Sequence, residues 1–222
     1  MSIHSYFMSG SRLKKAQQLT LDARQAEGEQ ANTLFQQAYD SYAAVSESFS
    51  RYADTLHYWG LAHLQQAETK AFSAEAIKIY EEAINKFSLC KAIAPNHLGA
   101  VIDEGVALLG LAKCKQLRFD DELYSNAKAL FDVAETIQSG SASYNLACIY
   151  ALQHKSEACL KALENARVHG LIPDKDNIIN DVDLQNIKKM PWFTDYIKSF
   201  EESKKEDNVE VEEKLNDAEL SE

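Results

Sequence analysis

The sequence predicts an all-α fold built as a series of antiparallel helix pairs, and three observations predict it. Apolar residues recur at the three- and four-residue spacing of amphipathic helices, and no stretch shows the alternation of a strand. Glycine and proline number eight and three, where average usage gives about 16 and about 11. Third, the same residue offsets recur in successive helices, which is typical of helical repeat proteins.

Two helices are predicted between Ser11 and about Val45, with Gly28 and Asn32 at the break between them. Turns follow at Pro95-Asn96, at Ser139 to Ser141 and at Gly170 to Pro173. Between these turns, helices are predicted over Ala53 to Thr69, Ser73 to Ile93, Leu98 to Leu117, Asp121 to Ile137, Ser141 to Gln153 and Ser156 to His169.

The net charge of −11 is concentrated at the C-terminus. Residues 201–222 carry ten acidic side chains against three lysines, so they hold −7 of it and leave −4 for the other 200 residues. No basic stripe remains that would bind a phosphate backbone or an anionic lipid surface. Nucleic acid and membrane partners are therefore not expected. The segment itself is too polar to fold alone, which predicts a disordered acidic tail.

The four cysteines favour a reducing compartment. They lie in predicted helices and form no C-x-x-C pair, unlike the framework of a disulfide-rich secreted domain. Cys148 and Cys159 lie on consecutive helices and leave open a redox-sensitive pair, although a small apolar filler is the simpler interpretation. Neither a signal peptide nor a transmembrane segment is predicted. We expect a cytoplasmic protein.

The recurring offsets place a small residue where the two helices of a pair cross and a large residue one turn away. A small residue at a helix crossing lets the backbones approach to about 8–10 Å, and a large residue beside it fills the space. In the first helices of the pairs the positions are Leu56, Trp59, Gly60, His63; Val101, Glu104, Gly105, Leu108; and Ser143, Leu146, Ala147, Tyr150. In the second helices they are Ala38, Tyr42, Val45; Ala83, Phe87, Cys90; Ala127, Phe131, Ala134; and Cys159, Leu163, Ala166.

These motifs resemble those of the tetratricopeptide (TPR) repeat family. Residues 56–95 match best, with Tyr80 to Phe87 similar to a family second helix and Pro95 to its terminator, and Tyr144 to Tyr150 is similar to a family first helix. The resemblance covers residues 33–170 and implies a right-handed superhelical array of antiparallel helix pairs.

The spacing within the pairs departs from the family pattern. Gly60 to Ala83 spans 23 positions and Gly105 to Ala127 spans 22, whereas Ala147 to Cys159 spans the family's 12. About ten extra residues in each of two pairs either lengthen the helices or form a protruding loop.

The segment after Gly170 resembles the closing segment of bacterial TPR proteins. Asp181 or Asp183 can cap one short helix, and Pro191 suits the first turn of another. The resemblance implies that this segment covers the end of the array. Its aromatic residues Trp192, Phe193, Tyr196 and Phe200 are assigned to this cap, and a partner anchor is the alternative. The predicted organisation is an arm (1–10), a repeat domain (11–170), a cap (171–200) and the tail (201–222).

No catalytic or metal-binding motif is present. His57 and His63 lie six positions apart, about 240° on the helical wheel, so they point apart and cannot hold one metal ion. The sequence lacks G-x-S-x-G, a glycine-rich phosphate loop and H-E-x-x-H. It therefore predicts no enzyme, no cofactor and no metal.

In TPR proteins the inner face of the first helices lines the ligand groove. Here that face would be largely apolar, without the Lys, Arg and Asn residues that hold chaperone carboxylates in the family. An extra helix or the N-terminal arm packed into the groove would make the same residues part of the core, and the sequence leaves both open. The candidate groove residues are His57, Leu61, Leu64, Ile102, Val106, Leu109, Tyr144 and Cys148, together with Asp54 and Ala151.

The predicted function is a non-catalytic interaction module or adaptor that binds a peptide or helix of a partner protein. The alternative is a structural subunit that self-associates, and an enzyme is a third possibility. The sequence identifies neither the partner nor the oligomeric state.

Overall fold

The computed structural model describes residues 3–45, 52–70 and 72–200, and within these ranges it contains helices and no strand. The prediction of an all-α fold is confirmed. The helices are α1 (Ile3–Gln25), α2 (Gly28–Val45), α3 (Tyr52–Thr69), α4 (Ala74–Ile93), α5 (Leu98–Cys114), α6 (Glu122–Ile137), α7 (Ser143–Leu152), α8 (Ser156–Val168), α9 (Lys175–Asn180), a 3-10 helix (Val182–Leu184) and α10 (191–200). None of the described helices is long and apolar enough to span a bilayer.

From α1 to α8, each helix packs mainly on its neighbours in the chain. The most extensive contacts join α1 with α2, α3 with α4, α5 with α6 and α7 with α8, and α4 also packs on α5. Short connections favour such antiparallel neighbours. Adjacent helix pairs packed in series are therefore the architecture of the described chain.

Polar side chains fix several helix starts at the predicted positions. The Ser73 hydroxyl accepts a hydrogen bond from the Ala76 amide, 3.0 Å away, and Asp121 accepts one from the Leu123 amide. Such caps satisfy amides that have no partner inside the helix. His97, after the turn at Pro95, caps α5 through Nδ1.

The glycines of the recurring offsets lie where helices cross. A β-carbon built on Gly60 of α3 would lie 2.7 Å from Phe87 Cε1 of α4, and one on Gly105 of α5 would lie 2.5 Å from Phe131 Cε1 of α6. Both phenylalanines are fully buried. Only glycine allows each ring to lie against the backbone of the facing helix.

The extra residues in two of the pairs lengthen the helices. Helices α3 and α4 contain 18 and 20 residues and α5 and α6 contain 17 and 16, whereas α7 and α8 contain 10 and 13. Between α5 and α6, the connection of residues 115–121 accounts for part of the extra length of that pair. Helix α5 ends at Cys114 rather than near Leu117, because Gln116 adopts a left-handed conformation with φ 52°.

The C-terminal segment belongs to the same core as α5 to α8. Ile178, Leu184 and Ile187 are fully buried. The Tyr196 hydroxyl donates a hydrogen bond to the Leu163 carbonyl of α8, 3.2 Å away. At the other end of the chain, residues 3–10, assigned to the arm, form part of α1. The predicted tail, 201–222, lies outside the described residues and stays a prediction.

Candidate functional site

A cavity of about 310 Å³ lies where α5, α7 and the C-terminal segment meet. Its walls come from five parts of the chain. Its lining residues are Glu68 of α3, Tyr80 of α4, Val106, Leu109, Gly110 and Lys113 of α5, Tyr144, Asn145 and Cys148 of α7, and Asp181 and Asp183 of the C-terminal segment.

Helical periodicity explains why α5 and α7 present these residues together. Val106, Leu109 and Lys113 are three and four positions apart, and Tyr144 and Cys148 are four apart, so each set lies on one face of its helix. Gly110 leaves room for the Tyr80 ring, which lies against its backbone in closer contact than a β-carbon would permit.

Asp181 is the centre of a hydrogen-bond network at one wall of the cavity. The Tyr144 hydroxyl donates to Asp181 Oδ2 at 2.7 Å, and the Cys148 thiol lies 3.8 Å from the same oxygen. Asp181 Oδ1 accepts from the Asp183 amide at 2.8 Å, which starts the 3-10 helix. Burial raises the pKa of Tyr144 and of Cys148 well above their ordinary values. Both groups are therefore neutral donors to the carboxylate.

A lysine from α5 neutralises the second carboxylate. Lys113 Nζ lies 2.5 Å from Asp183 Oδ2, with side chains 30% and 15% exposed. Cys148, Asp181 and Asp183 offer ligand atoms within 4.8 Å of one another, a spacing that could suit a metal ion. However, the Lys113 ammonium already compensates Asp183, and a protonated thiol is a poor metal ligand. The cluster is better explained as an ion-pair and hydrogen-bond network than as a metal centre.

The cavity contains four of the candidate groove residues, Val106, Leu109, Tyr144 and Cys148. The other six, His57, Leu61, Leu64, Ile102, Asp54 and Ala151, are not among its lining residues. Leu61 and Leu64 pack in the core between α3, α4 and α5, and Ile102 packs against the core of α5 to α8. The surface differs from the apolar groove expected from the sequence, because the C-terminal segment and Lys113 add charged groups to it.

His57, another of the candidates, joins α3 to α5. Its Nε2 lies 2.7 Å from Asp103 Oδ2, and its ring centroid is 4.7 Å from that of His97. His97 Nε2 in turn lies 3.5 Å from Asp54 Oδ1. Sequence reasoning assigned His57 no partner, because Asp103 lies 46 positions away and has no periodic relation to it.

His63 faces α2, away from the α5 contact of His57, as the six-residue spacing predicts. Its ring stacks on Tyr39 of α2 with centroids 4.0 Å apart. Burial, with Lys86 nearby, lowers its pKa to about 4. His63 is therefore a neutral core side chain.

A larger depression, about 500 Å³, lies between the connection 115–121 and the turn after α7. Its floor includes Phe119 and Leu152. Arg118 at its edge is paired with Asp120, and no set of buried polar groups from the described ranges converges on it. The smaller cavity is the better candidate site.

Comparison with known proteins gives limited similarity. No family model matches the chain, and no solved structure matches it. A chloroplastic protein of Arabidopsis thaliana is 32% identical over 94 residues, which are 42% of this chain. The chain spans 28% of the length of that protein.

Proposed function

We propose that this chain is a cytoplasmic, non-catalytic interaction module that binds a peptide or helix of a partner protein on the inner face of a TPR-like right-handed array. The observation that carries this proposal is the cavity between α5, α7 and the C-terminal segment. Two successive first helices contribute to it at positions that the periodicity assigns to a concave face. A concave site with an apolar floor and a few convergent polar groups is a typical binding site.

The chemistry of the cavity favours binding over catalysis. A nucleophilic cysteine requires a lowered pKa, whereas burial raises the pKa of the Cys148 thiol. The Asp181 carboxylate accepts from Tyr144 and from the Asp183 amide, so it is engaged in holding the wall. These groups position a surface and activate no nucleophile.

A cavity-filling substitution tests this function. Val106→Phe places a ring in the cavity, so partners cross-linked to the wild-type protein in its native source should be lost. Val133→Phe is the matched control, since Val133 is 46% exposed on α6. Circular dichroism verifies that both variants fold. An unchanged partner set with a folded Val106→Phe protein would contradict the proposal.

Self-association is the second candidate, and an exposed apolar pair on α4 favours it. Leu89 and Ile93 lie one turn apart and are 45% and 51% exposed. If they form a contact between copies, light scattering should show a mass that rises with concentration and a monomer after Leu89→Glu with Ile93→Glu. A wild-type monomer across micromolar concentrations would exclude this candidate.

A further inference from the structure

We propose that the cavity receives a cationic side chain, a lysine or arginine, of the partner segment. This inference rests on the proposed function and specifies the chemistry of the residue that enters the site. It also reverses the charge preference of those TPR proteins that bind a carboxylate.

The charges that line the cavity favour a cation. Glu68, Asp181 and Asp183 line the cavity together with the ammonium of Lys113, and Arg24 of α1 is a charged neighbour of Glu68. Asp183 is compensated by Lys113, whereas the Asp181 carboxylate receives hydrogen bonds from neutral donors. An incoming ammonium or guanidinium would therefore meet an uncompensated carboxylate at a site partly shielded from water, where charge-assisted hydrogen bonds are strong.

The shape of the cavity suits a long side chain with an apolar stem. Val106 and Leu109 line the cavity together with Tyr80 and Tyr144, and Asp181 and Asp183 line it from the C-terminal segment. Lysine and arginine bury their methylene groups on apolar surface while the charged head finds a polar partner. A volume of about 310 Å³ accommodates one such side chain, so the backbone of the partner segment would lie outside the cavity.

Lys113 carries an ammonium group that already binds a carboxylate of this cavity. Its Nζ lies 2.5 Å from Asp183 Oδ2, inside the lining of the same cavity. Because Lys113 occupies one carboxylate, it competes with an incoming cation and also repels it. Removing the Lys113 charge should therefore strengthen cation binding. The same substitution in a purely apolar groove would not increase the affinity for a cation.

The probe is a blocked peptide, acetyl-Ala-Ala-Lys-Ala-Ala-amide, titrated into the isotope-labelled full chain and followed by amide shifts of Gly110 and Asn145. The wild-type protein should bind it, and the same peptide with Nε-acetyl-lysine should bind about tenfold more weakly. Asp181→Asn should weaken binding of the lysine peptide by a similar factor, and Lys113→Met should strengthen it severalfold. Asp176→Asn, an exposed carboxylate of α9, should leave it unchanged.

In the peptide titrations, either of two results would overturn the proposal: equal binding of the lysine and acetyl-lysine peptides, or no shift of Gly110 and Asn145 with either peptide in a folded protein. Thermal unfolding verifies that Asp181→Asn is folded. Lys113→Met is an independent test, because it should change the affinity for the lysine peptide in the opposite direction. Cross-linking separates this proposal from the proposed function. Partners lost in Val106→Phe but kept in Asp181→Asn would refute only the cationic chemistry, and partners kept in both variants would refute the groove itself.

Discussion

Phe87 of α4 lies across Gly60 of α3, with its Cε1 2.7 Å from the position that a β-carbon would take. Phe131 of α6 and Gly105 of α5 repeat this contact at 2.5 Å. Gly60 and Phe87 are 27 positions apart in the chain, and Gly105 and Phe131 are 26 apart. The same crossing is therefore built twice.

Gly60→Ala should destabilise the protein although alanine favours helix. The methyl group would overlap a fully buried ring, and overpacking costs about 1–3 kcal/mol, whereas the gain in helix propensity is at most about 1 kcal/mol. We expect a net loss of about 1–2 kcal/mol in the free energy of unfolding, measured with urea.

A double variant shows whether the ring is the cause. Adding Phe87→Leu to Gly60→Ala removes the clash, so the two changes together should cost less than the sum of the single changes. Strict additivity would show that Gly60 and Phe87 are not coupled.

The periodicity of the sequence predicted most of the helices, although α1 begins earlier and α5 ends earlier than predicted. Gly60, Gly105, Phe87 and Phe131 could be placed near helix crossings because each occupies the same position of a motif that recurs from helix to helix. The cap at Ser73 also depends only on nearby residues, because the serine hydroxyl accepts a hydrogen bond from the Ala76 amide three positions later. Such features depend on neighbours within one repeat.

The chemistry of the cavity depends on contacts that periodicity does not encode. Tyr144 meets Asp181 across 37 positions and Lys113 meets Asp183 across 70. Both pairs form because the C-terminal segment folds back onto α5 and α7, which depends on the packing of the buried Leu184 and Ile187. Lys113 follows Leu109 by one helical turn and could have been placed on the inner face, but its partner could not.

His63 should make stability depend on pH. Its pKa is about 4 in the folded protein and about 6.5 when unfolded, so between these values the unfolded chain binds the proton and the folded chain does not. The free energy of unfolding should therefore fall as the pH is lowered from about 6.5 to about 4, by up to about 3 kcal/mol. Below that range His63 adds no further loss.

His63→Gln should flatten this dependence, as measured by urea unfolding at several pH values. His154→Asn, at an exposed turn with φ 57°, is the control and should keep the wild-type slope. If His63→Gln kept the full wild-type slope, the loss would belong to other groups.

Cys114 should react first with a thiol reagent in the native protein. Cys90 and Cys159 are fully buried, and burial raises their pKa to about 11 and about 12. Cys148 is 6% exposed and its pKa is also raised. Burial also raises the pKa of Cys114, but its side chain is only half-buried. Because reaction requires an accessible thiolate, the three buried thiols should react slower than Cys114 by about tenfold or more.

Mass spectrometry after timed labelling identifies the modified thiol, and labelling in urea provides the reference for equal access. By the same reasoning, Cys148 and Cys159 should form no disulfide under mild oxidation of the folded protein. Early modification of Cys148, or a disulfide between these two residues, would instead support the redox-sensitive pair that the sequence left open.

Leu184→Ala should test whether the C-terminal segment is a fixed wall of the cavity. Leu184 is fully buried, whereas Val182 of the same 3-10 helix is 72% exposed. Removing the buried side chain leaves a void and should cost about 2–5 kcal/mol in the free energy of unfolding. Val182→Ala should change it by no more than about 0.5 kcal/mol.

The same pair of variants relates stability to the site. If Leu184 anchors the wall that carries Asp181 and Asp183, the folded Leu184→Ala protein should also bind the lysine peptide more weakly, because both carboxylates would lose their fixed positions. Val182→Ala should bind it as the wild-type protein does. A Leu184→Ala protein as stable as Val182→Ala would mean that the C-terminal segment is not packed against α5 and α7, and the cavity would then lack its acidic wall.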